Sequence, residues 1–208
     1  MNDYSKEYDS MVPKPYSIPR WYGHPKYLII EKYEKYLTGT VADFGCNCGV
    51  ACTMLSMLEK TDKVIGFDIA KKALKLGEDV IRNHELTNPD KIELRYSNLM
   101  YLDCLDNNLD AAICFHTLEH IYPEDLDKVI SEFHRVIKSG GYFIFSMPCR
   151  KAFSAEPTHV SFFSIEQEPE YIGLRQLLEK HGFEVMEIYE DSTLDNNNQL
   201  CITGVARA

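Results

Sequence analysis

Acidic residues and glycines with the spacing of a nucleotide-binding loop lie between residues 43 and 49. Asp43 closes a short apolar run, and Gly45 and Gly49 follow it. Glycine lets the backbone turn tightly and approach a ligand closely, and a helix that begins after the loop directs its free N–H groups at that ligand. A second acid, Asp68, closes the next apolar run, near the offset of about 20 residues that is typical of an acid bound to ribose. The pattern predicts a site for a ligand that contains a nucleoside.

The spacing of the loop distinguishes three kinds of ligand. A phosphate-binding loop needs Gly-x4-Gly-Lys-Ser/Thr, but Gly49 is followed by Val50 and Ala51. A dinucleotide loop needs Gly-x-Gly-x-x-Gly, whereas Asn47 stands in the middle of a Gly-x3-Gly pattern here. S-Adenosylmethionine has no phosphate and carries two positive groups, so it suits a loop flanked by acids. Asn47 is compatible with this loop, because asparagine tolerates a positive φ better than most residues.

Short apolar runs alternate with amphipathic helical patterns along the chain. The strand-like runs cover residues 41–44, 63–68, 91–96, 111–115, 142–147, 183–189 and 200–206. Helical apolar spacing marks residues 24–37, 50–60, 73–81, 126–137 and 174–178, with a glycine stop at 139–141 after the fourth pattern. This alternation predicts an α/β fold, with a mostly parallel seven-stranded sheet and helices on both faces. The last two strands, joined by a polar turn, are expected to form an antiparallel hairpin at one edge.

The polar residues of interest lie where the predicted strands end. The Gly45 loop follows the first strand, Asp68 ends the second, Asn98 follows the third and Phe115 ends the fourth. Ligands of open parallel sheets bind at the carboxyl ends of the strands, near the point where the strand order reverses. We therefore expect these four positions to form one site.

Seven segments, in order, resemble the motifs of class I S-adenosylmethionine-dependent methyltransferases. They are residues 43–49, the acidic segment 66–68, the Ser-Asn-Leu segment 97–99, residues 115–121 with their Leu-Glu-His, and residues 134–141, 159–164 and 180–183. The resemblance covers residues 24–208 and departs from the family at Asn47, Asn98 and Ser139. It implies a Rossmann-like methyltransferase domain over residues 24–208, with residues 1–23 as an N-terminal arm or lid.

The resemblance also implies a function and the residues that carry it. S-Adenosyl-L-methionine is the implied cofactor, and its methyl group is expected to pass to an oxygen or nitrogen atom of a small-molecule acceptor. The implied cofactor-binding residues are Asp43, Gly45, Cys46, Gly49, Asp68, Ile69, Asn98, Leu99 and Phe115. Asn98 replaces an acid that is commoner in the family, and its amide can still hydrogen-bond adenine.

Histidines near the fourth strand are candidates for the general base that an oxygen or nitrogen nucleophile can require. We expect this role for His116 or His159. His116, Glu119 and His120 share one face if their turn is helical, and they are plausible metal ligands. Quinone-biosynthesis and small-RNA O-methyltransferases look similar here, but they have Glu-x-x-Glu-His and a bound divalent metal. Because His116 replaces the first Glu, we expect Glu119 and His120 to be hydrogen-bonded structural residues, and we expect no metal.

Cysteines and aromatic residues near the loop have less specific patterns. Cys46, Cys48 and Cys52 match neither an iron–sulfur nor a zinc spacing, so we expect buried thiols. The aromatic candidates for the wall of an acceptor pocket, or for a simple cover of the sheet, are Tyr16, Trp21, Tyr22 and Tyr27.

The composition limits the classes of partner. The chain has 208 residues, enough for one domain with a sizeable core. Its net charge of −10 disfavours broad contact with nucleic acid or an anionic membrane. Seven cysteines, a polar N-terminus and the lack of a long apolar run predict a cytoplasmic location.

The rival interpretations are an RNA methyltransferase, a non-catalytic S-adenosylmethionine-binding regulator and a nicotinamide dehydrogenase. No pattern indicates the oligomeric state.

Overall fold

Strands and helices alternate along most of the chain. The computed structural model describes residue 4 and residues 25–83, 88–149, 158–191 and 200–208. Strands in this part of the chain are β1 (Gly39–Phe44), β2 (Thr61–Asp68), β3 (Ile92–Tyr96), β4 (Leu109–Phe115), β5 (Ile137–Pro148), β6 (Phe163–Ser164), β7 (Ile172–Gly173), β8 (Glu184–Asp191) and β9 (Cys201–Arg207). The α-helices are α1 (Pro25–Tyr33), α2 (Val50–Ser56), α3 (Lys71–Asn83), α4 (Pro123–Val136) and α5 (Leu174–Lys180). None of these described helices is both long and apolar enough to cross a membrane.

Seven of the nine described strands form one sheet in the order β3-β2-β1-β4-β5-β9-β8. Strand β1 pairs in parallel with β2 and β4, so that Asp43 lies opposite Gly66 on one side and Ile113 on the other. Strand β9 is antiparallel to both β5 and β8. The predicted fold, including the antiparallel edge, is confirmed. The strand order reverses between β1 and β4, and ligands of such sheets bind at the carboxyl ends of the strands near this point.

Side chains alternate between the two faces of the sheet along each strand. A hydrophobic core covers each face, so both faces are buried. On β4, Ala112 and Cys114 belong to one core, whereas Ala111 and Ile113 belong to the other. Helices α4 and α5 cover the first face, and α1 and α2 cover the second. The helical side chains that do so include Leu126, Val129, Leu174 and Leu178 on the first face, and Ile29, Ile30, Ala51 and Met54 on the second. Burial of each large apolar side chain stabilises the fold by about 1.5–3 kcal/mol.

Helix α4 ends one residue earlier than its apolar pattern predicts. The prediction that the helix includes Ile137 and stops at the following glycines was wrong, because Ile137 begins β5. Ile137 has extended backbone angles and pairs with Leu109 of β4, so its side chain reaches the core from a strand. The glycines lie inside the strand, where Gly140 has a φ of 82° and its N–H donates to the carbonyl of Ala208. Long-range pairing therefore overrides the local helical spacing.

A short parallel pair lies in the segment that was expected to be irregular. Strands β6 and β7 pair Phe163 with Ile172. Two residues per strand are too few to show a period in the sequence. Phe163 is fully buried, so this pair connects the segment after β5 to the core.

Helix α3 packs closely against the loop that follows β1. A Cβ atom at Gly77 would lie 2.7 Å from the carbonyl oxygen of Cys48 and 2.8 Å from Cδ1 of Leu94. A Cβ atom at Gly66 of β2 would likewise lie 2.8 Å from Sγ of Cys46. These two glycines therefore allow β2, α3 and the loop to approach one another.

Gly77→Ala should destabilise the protein, although alanine is the better helix former by about 1 kcal/mol. The added methyl group would press on the carbonyl of Cys48, and overpacking of this kind typically costs about 1–3 kcal/mol. Urea unfolding should therefore give a lower free energy of unfolding for the variant. The control Glu78→Ala changes an exposed residue of the same helix and should stay within about 0.5 kcal/mol of wild type. A Gly77→Ala protein as stable as wild type would contradict the close contact between helix and loop.

Candidate active site

The loop after β1 turns through three residues with positive φ. Gly45 has a φ of 77°, Asn47 of 51° and Gly49 of 76°, so the predicted tolerance of Asn47 for this conformation is confirmed. The N–H groups of Gly45 and Cys46 both donate to the carbonyl of Phe67, at 2.8 and 3.1 Å. The loop is thereby attached to the end of β2. Gly45 and Gly49 have no side chains of their own, and the side chain of Thr117 packs directly against the backbone of Gly45.

Asp68, the last residue of β2, connects the loop to the next helix. Its Oδ2 accepts the backbone N–H of Asn47 at 2.7 Å, and its Oδ1 accepts that of Ala70 at 2.8 Å. Burial raises the pKa of the Asp68 carboxyl, although these N–H groups act to lower it. An ionised carboxylate has about four acceptor sites, so Asp68 retains capacity for ligand hydroxyl groups.

Asp43 is a buried acid at the neighbouring strand end. Its side chain is 3% exposed, and Sγ of Cys52 donates to its Oδ2 at 3.4 Å. Burial raises the pKa of Asp43 to about 6, and the negative charge of Asp68 contributes to the rise. The two acids therefore form a region that favours a bound cation.

Lys26, near the start of α1, brings positive charge toward both acids. It acts to lower the pKa of Asp43 and of Asp68, against the effect of burial. Lys26 is not among the residues predicted from the sequence. Its position depends on how α1 lies relative to the strand ends, and no local spacing pairs this lysine with the two acids.

Residues after β2 and β3 lie beside the acids. Ile69 is half-buried against the core, and Leu99 is 8% exposed. Oδ1 of Asn98 accepts the N–H of Met100 at 2.9 Å. This hydrogen bond orients the side chain so that its amide NH₂ is the group that can donate to an adenine nitrogen.

The end of β4 turns sharply at His116. The side chain of Phe115 is only 2% exposed and lies in the core, so a ligand can reach Phe115 mainly through its backbone. His116 has a φ of 55°, which is uncommon for a residue other than glycine. Its N–H donates to the carbonyl of Ser146 at 2.8 Å, and its side chain is 31% exposed. The local sequence carries no signal for this conformation.

Glu119 lies among histidines from two separate segments. Nδ1 of His116 lies 3.5 Å from Oε1 of Glu119. Potential ligand atoms of Glu119, His120 and His159 lie within 4.8 Å of one another. His116 precedes the 3₁₀ helix Leu118–His120, so the helical face considered for His116, Glu119 and His120 is not formed.

The carboxylate of Glu119 differs from the sequence-based expectation. Neither of its oxygens has a hydrogen-bond partner among the described residues, so the expected hydrogen-bonded structural role was wrong for this side chain. Burial acts to raise the pKa of the Glu119 carboxyl, but His116 and His120 outweigh this effect and the pKa lies below its ordinary value. The buried carboxylate is therefore charged.

The three cysteines near the loop are buried thiols, as predicted. Cys46, Cys48 and Cys52 are 4%, 3% and 0% exposed. Burial raises the pKa of the Cys46 and Cys48 thiols, so both are protonated at neutral pH. Any contact that Cys46 makes with a ligand is therefore expected through its backbone.

Most of the predicted N-terminal arm, including Tyr16, Trp21 and Tyr22, lies outside the described residues. Tyr4 is described and buried. Its hydroxyl donates to Oδ2 of Asp125 at 2.7 Å and accepts the N–H of Tyr122 at 3.0 Å. These contacts attach residue 4 to the start of α4. Tyr27 is half-buried against the second core.

Comparison with known proteins identifies the family. A family model described as a methyltransferase domain matches residues 42–145, which is half of the chain. A probable S-adenosylmethionine-dependent methyltransferase of Mycolicibacterium smegmatis is 29% identical over 146 residues, covering 70% of this chain and 52% of that protein. A ubiquinone biosynthesis O-methyltransferase of Chromobacterium violaceum is 30% identical over 124 residues, covering 59% and 50%. The chain spans about a third to a half of the length of the curated relatives it matches.

The fold is also shared with solved structures. One is an S-adenosylmethionine-dependent methyltransferase of Methanosarcina mazei, with a TM-score of 0.69 and 22% identity, covering 86% of this chain and 96% of that chain. The family match extends from β1 into β5 and includes the glycine loop, both acids and the Glu119 turn. The chain therefore belongs to the class I S-adenosylmethionine-dependent methyltransferase family.

Proposed function

We propose that residues 24–208 form a methyltransferase domain that transfers the methyl group of S-adenosyl-L-methionine to an oxygen or nitrogen atom of a small-molecule acceptor. The observation that carries this proposal is the pair of acids, Asp43 and Asp68, beside a glycine loop at the ends of adjacent parallel strands. Residues 1–23 are proposed as an arm or lid, supported by the attachment of Tyr4 to the start of α4.

The charges of the site suit this cofactor. Burial of Asp43 and Asp68 disfavours their ionised forms, as their raised pKa values indicate. A bound sulfonium and ammonium would offset that cost, because an opposite charge nearby favours ionised carboxylates. The diphosphate of a nicotinamide dinucleotide would add negative charge beside the same acids. The residues present therefore fit S-adenosylmethionine better than a dinucleotide.

Each proposed cofactor contact follows from the chemistry of the residue. Asp68 would accept hydrogen bonds from the ribose hydroxyls, and the amide of Asn98 would donate to adenine. The apolar side chains of Ile69 and Leu99 would pack against the adenine ring. Lys26 would pair with the carboxylate of the amino-acid tail, a contact that the sequence-based prediction did not include.

The remaining contacts are proposed for the amino-acid tail. Asp43 would balance its ammonium charge, through space or through water. The backbone at Gly45, Cys46, Gly49 and Phe115 would line the rest of the cofactor site. These positions stand together because β1 pairs in parallel with both β2 and β4.

The bound cofactor supplies a methyl group on a positively charged sulfur, with a neutral thioether as the leaving group. The protein must then position the acceptor atom and remove its proton. His116 and His159 are proposed for proton removal. The partly exposed side chain of His116 supports this role, as does the Glu119 carboxylate 3.5 Å from its Nδ1. That carboxylate favours the tautomer in which Nε2 can accept a proton.

A small-molecule acceptor is favoured over RNA by electrostatics. The net charge of −10 opposes approach to a polyanion. The acids at the strand ends add to this effect near the proposed methyl group.

Methyl transfer can be measured with S-adenosylmethionine that carries a labelled methyl group. The protein should transfer label to the small-molecule fraction of a cell extract and not to total RNA. Label in RNA alone would contradict the proposed acceptor class. Tight cofactor binding without transfer to either fraction would instead support the non-catalytic regulator.

Asp68→Ala should weaken binding of S-adenosylhomocysteine by at least about 1 kcal/mol, or roughly fivefold. The ribose hydroxyls would lose their acceptor, and the loop would lose the hydrogen bond at the N–H of Asn47. Isothermal titration calorimetry measures the change. Asp62→Ala, at an exposed position near the start of β2, is the matched control and should bind as wild type does. Unchanged affinity in Asp68→Ala would exclude Asp68 from the cofactor site, and stabilisation by NAD would contradict the choice of cofactor.

Asp43→Asn should stabilise the ligand-free protein at neutral pH while weakening cofactor binding. The folded-state pKa of Asp43 is about 6, above the ordinary value of 3.8 for this carboxyl, so the folded state holds more protons than the unfolded state between these values. The unfolding free energy contributed by Asp43 therefore falls as pH rises through this window. About two pKa units correspond to at most about 3 kcal/mol, and the variant should recover part of this at pH 7.5.

Urea unfolding at pH 4 and pH 7.5, with and without S-adenosylhomocysteine, measures both effects. The stability gain of Asp43→Asn should appear at pH 7.5 and be largely lost at pH 4. Asp62→Asn serves as the exposed control and should show neither effect. A variant that is less stable than wild type at pH 7.5, or that binds the ligand equally well, would contradict the role given to Asp43.

A further inference from the structure

Strand β3 forms one edge of the seven-stranded sheet. It pairs in parallel with β2 on one side, and no described strand pairs with its other side. The N–H of Ser97 donates to the carbonyl of Asp68 at the end of β2. Because the N–H and C=O groups of successive residues point to opposite sides of a strand, those of Leu94 and Tyr96 point to the open side. Such unpaired edge groups are a template for pairing with another strand.

Apolar side chains on one face of β3 are incompletely covered. Ile92 and Leu94 are only partly buried against the second core, and Tyr96 is 49% exposed. A pocket of about 350 Å³ lies beside the strand and is lined by Lys71, Leu74, Lys75, Glu78, Leu94 and Tyr96. A further strand along this edge would remove apolar surface of β3 from water, which is favourable.

The opposite face of β3 carries one acid and one base, on either side of Leu94. The side chains of Glu93 and Arg95 are 41% and 29% exposed, and Nε of Arg95 lies 2.6 Å from Oε1 of Glu93. Hydrogen bonds from Arg95 and Lys63 lower the pKa of Glu93 to about 2. Both side chains are therefore charged and partly accessible at the open edge.

This strand is complementary to itself in the antiparallel direction. If two β3 strands pair with Leu94 opposite Leu94, Glu93 of each copy lies opposite Arg95 of the other. Ile92 of each copy then lies opposite Tyr96. Opposite charges and aromatic–β-branched pairs at such positions stabilise antiparallel strands. One surface that complements itself about a two-fold axis is what a symmetric dimer requires.

The direction of the backbone groups suits the same register. Because the N–H and C=O of Leu94 point to the open side, the two Leu94 residues would exchange backbone hydrogen bonds. The pairs of Glu93 with Arg95 would then be of the non-hydrogen-bonded kind, in which side chains lie closer together.

The other edge of the sheet lacks this complementarity. Strand β8 has the sequence EVMEIYED, which contains four acids and no basic residue. Pairing β8 with a second copy of itself would bring acids together without a counter-charge, and like charges on paired strands are destabilising. The charges of the two edges therefore favour β3 as the edge that meets a second copy of this chain.

We propose that two copies of this chain associate along β3 as an antiparallel, two-fold symmetric pair, with Glu93 of each copy opposite Arg95 of the other. One continuous sheet would then run through both copies. The carboxyl end of β3 leads to Asn98 and Leu99, so the interface would lie beside the proposed adenine contacts. The association itself does not depend on the proposed methyl transfer.

Sedimentation velocity of the full-length chain without cofactor tests the association. Wild type should form a species of twice the chain mass, whose fraction rises with protein concentration. Glu93→Arg and Arg95→Glu should each weaken the dimer at least about tenfold, because like charges would then face each other across the interface. The control Glu184→Arg reverses an exposed charge on β8, at the other edge, and should dimerise as wild type does.

Exchange of the two charges tests the register. The double variant Glu93→Arg/Arg95→Glu should dimerise again, because each arginine would once more face a glutamate. A mixture of the two single variants, each monomeric alone, should form a heterodimer for the same reason. Circular dichroism should show all variants to be folded, since both side chains are partly exposed.

Three results would overturn the proposal. A wild-type chain that stays monomeric at every concentration would leave the β3 edge unpaired or open to a different polypeptide. A dimer that survives both single reversals, or that Glu184→Arg abolishes, would place the interface elsewhere. Folded single variants that do not associate when mixed would exclude the pairing of Glu93 with Arg95. Because neither cofactor nor methyl transfer is measured, a failure of the proposed function would not alter these results.

Discussion

The carboxylate of Asp68 is the interaction on which the geometry of the site depends. One oxygen binds the backbone of the glycine loop and the other binds the residue before α3, so one side chain joins two strand ends to a helix. Gly66 and Gly77 permit this close assembly, since a larger residue at either position would strike the loop or its cysteines. The parallel register of β1, β2 and β4 then brings Asp43 and His116 to the same edge of the sheet.

Buried or partly buried carboxylates lie in both regions of this edge. Asp43 and Asp68 lie on one side with Lys26 as a partial counter-charge, and burial raises the pKa of both acids. Glu119 lies on the other side among imidazoles, without a hydrogen bond to its carboxylate in the described part of the chain. Buried charges reduce stability unless they are paired.

The two regions are held in different ways. The cofactor region is organised by side chain to backbone hydrogen bonds within one sheet edge. The Glu119 cluster instead depends on backbone hydrogen bonds between the Leu118–His120 turn and residues 160–161, which lie after β5 in the sequence. The left-handed conformation of His116 directs the chain from the first region into the second. This uncommon backbone conformation lies directly after the carboxyl end of β4.

The sequence by itself determined the features that depend on local pattern. Alternating apolar runs predicted the α/β sheet, and the loop spacing predicted Asp43, Asn47 and Asp68 at strand ends, because residue type and φ preference act locally. Three features were decided only by the tertiary structure. They are the position of Lys26 near Asp43 and Asp68, the start of β5 at Ile137, and the proximity of His159 to Glu119. Each of these depends on where distant segments cross in space, and short-range periodicity carries no information about such contacts. The burial of the Glu119 carboxylate among histidines from two segments is likewise a property of the folded chain.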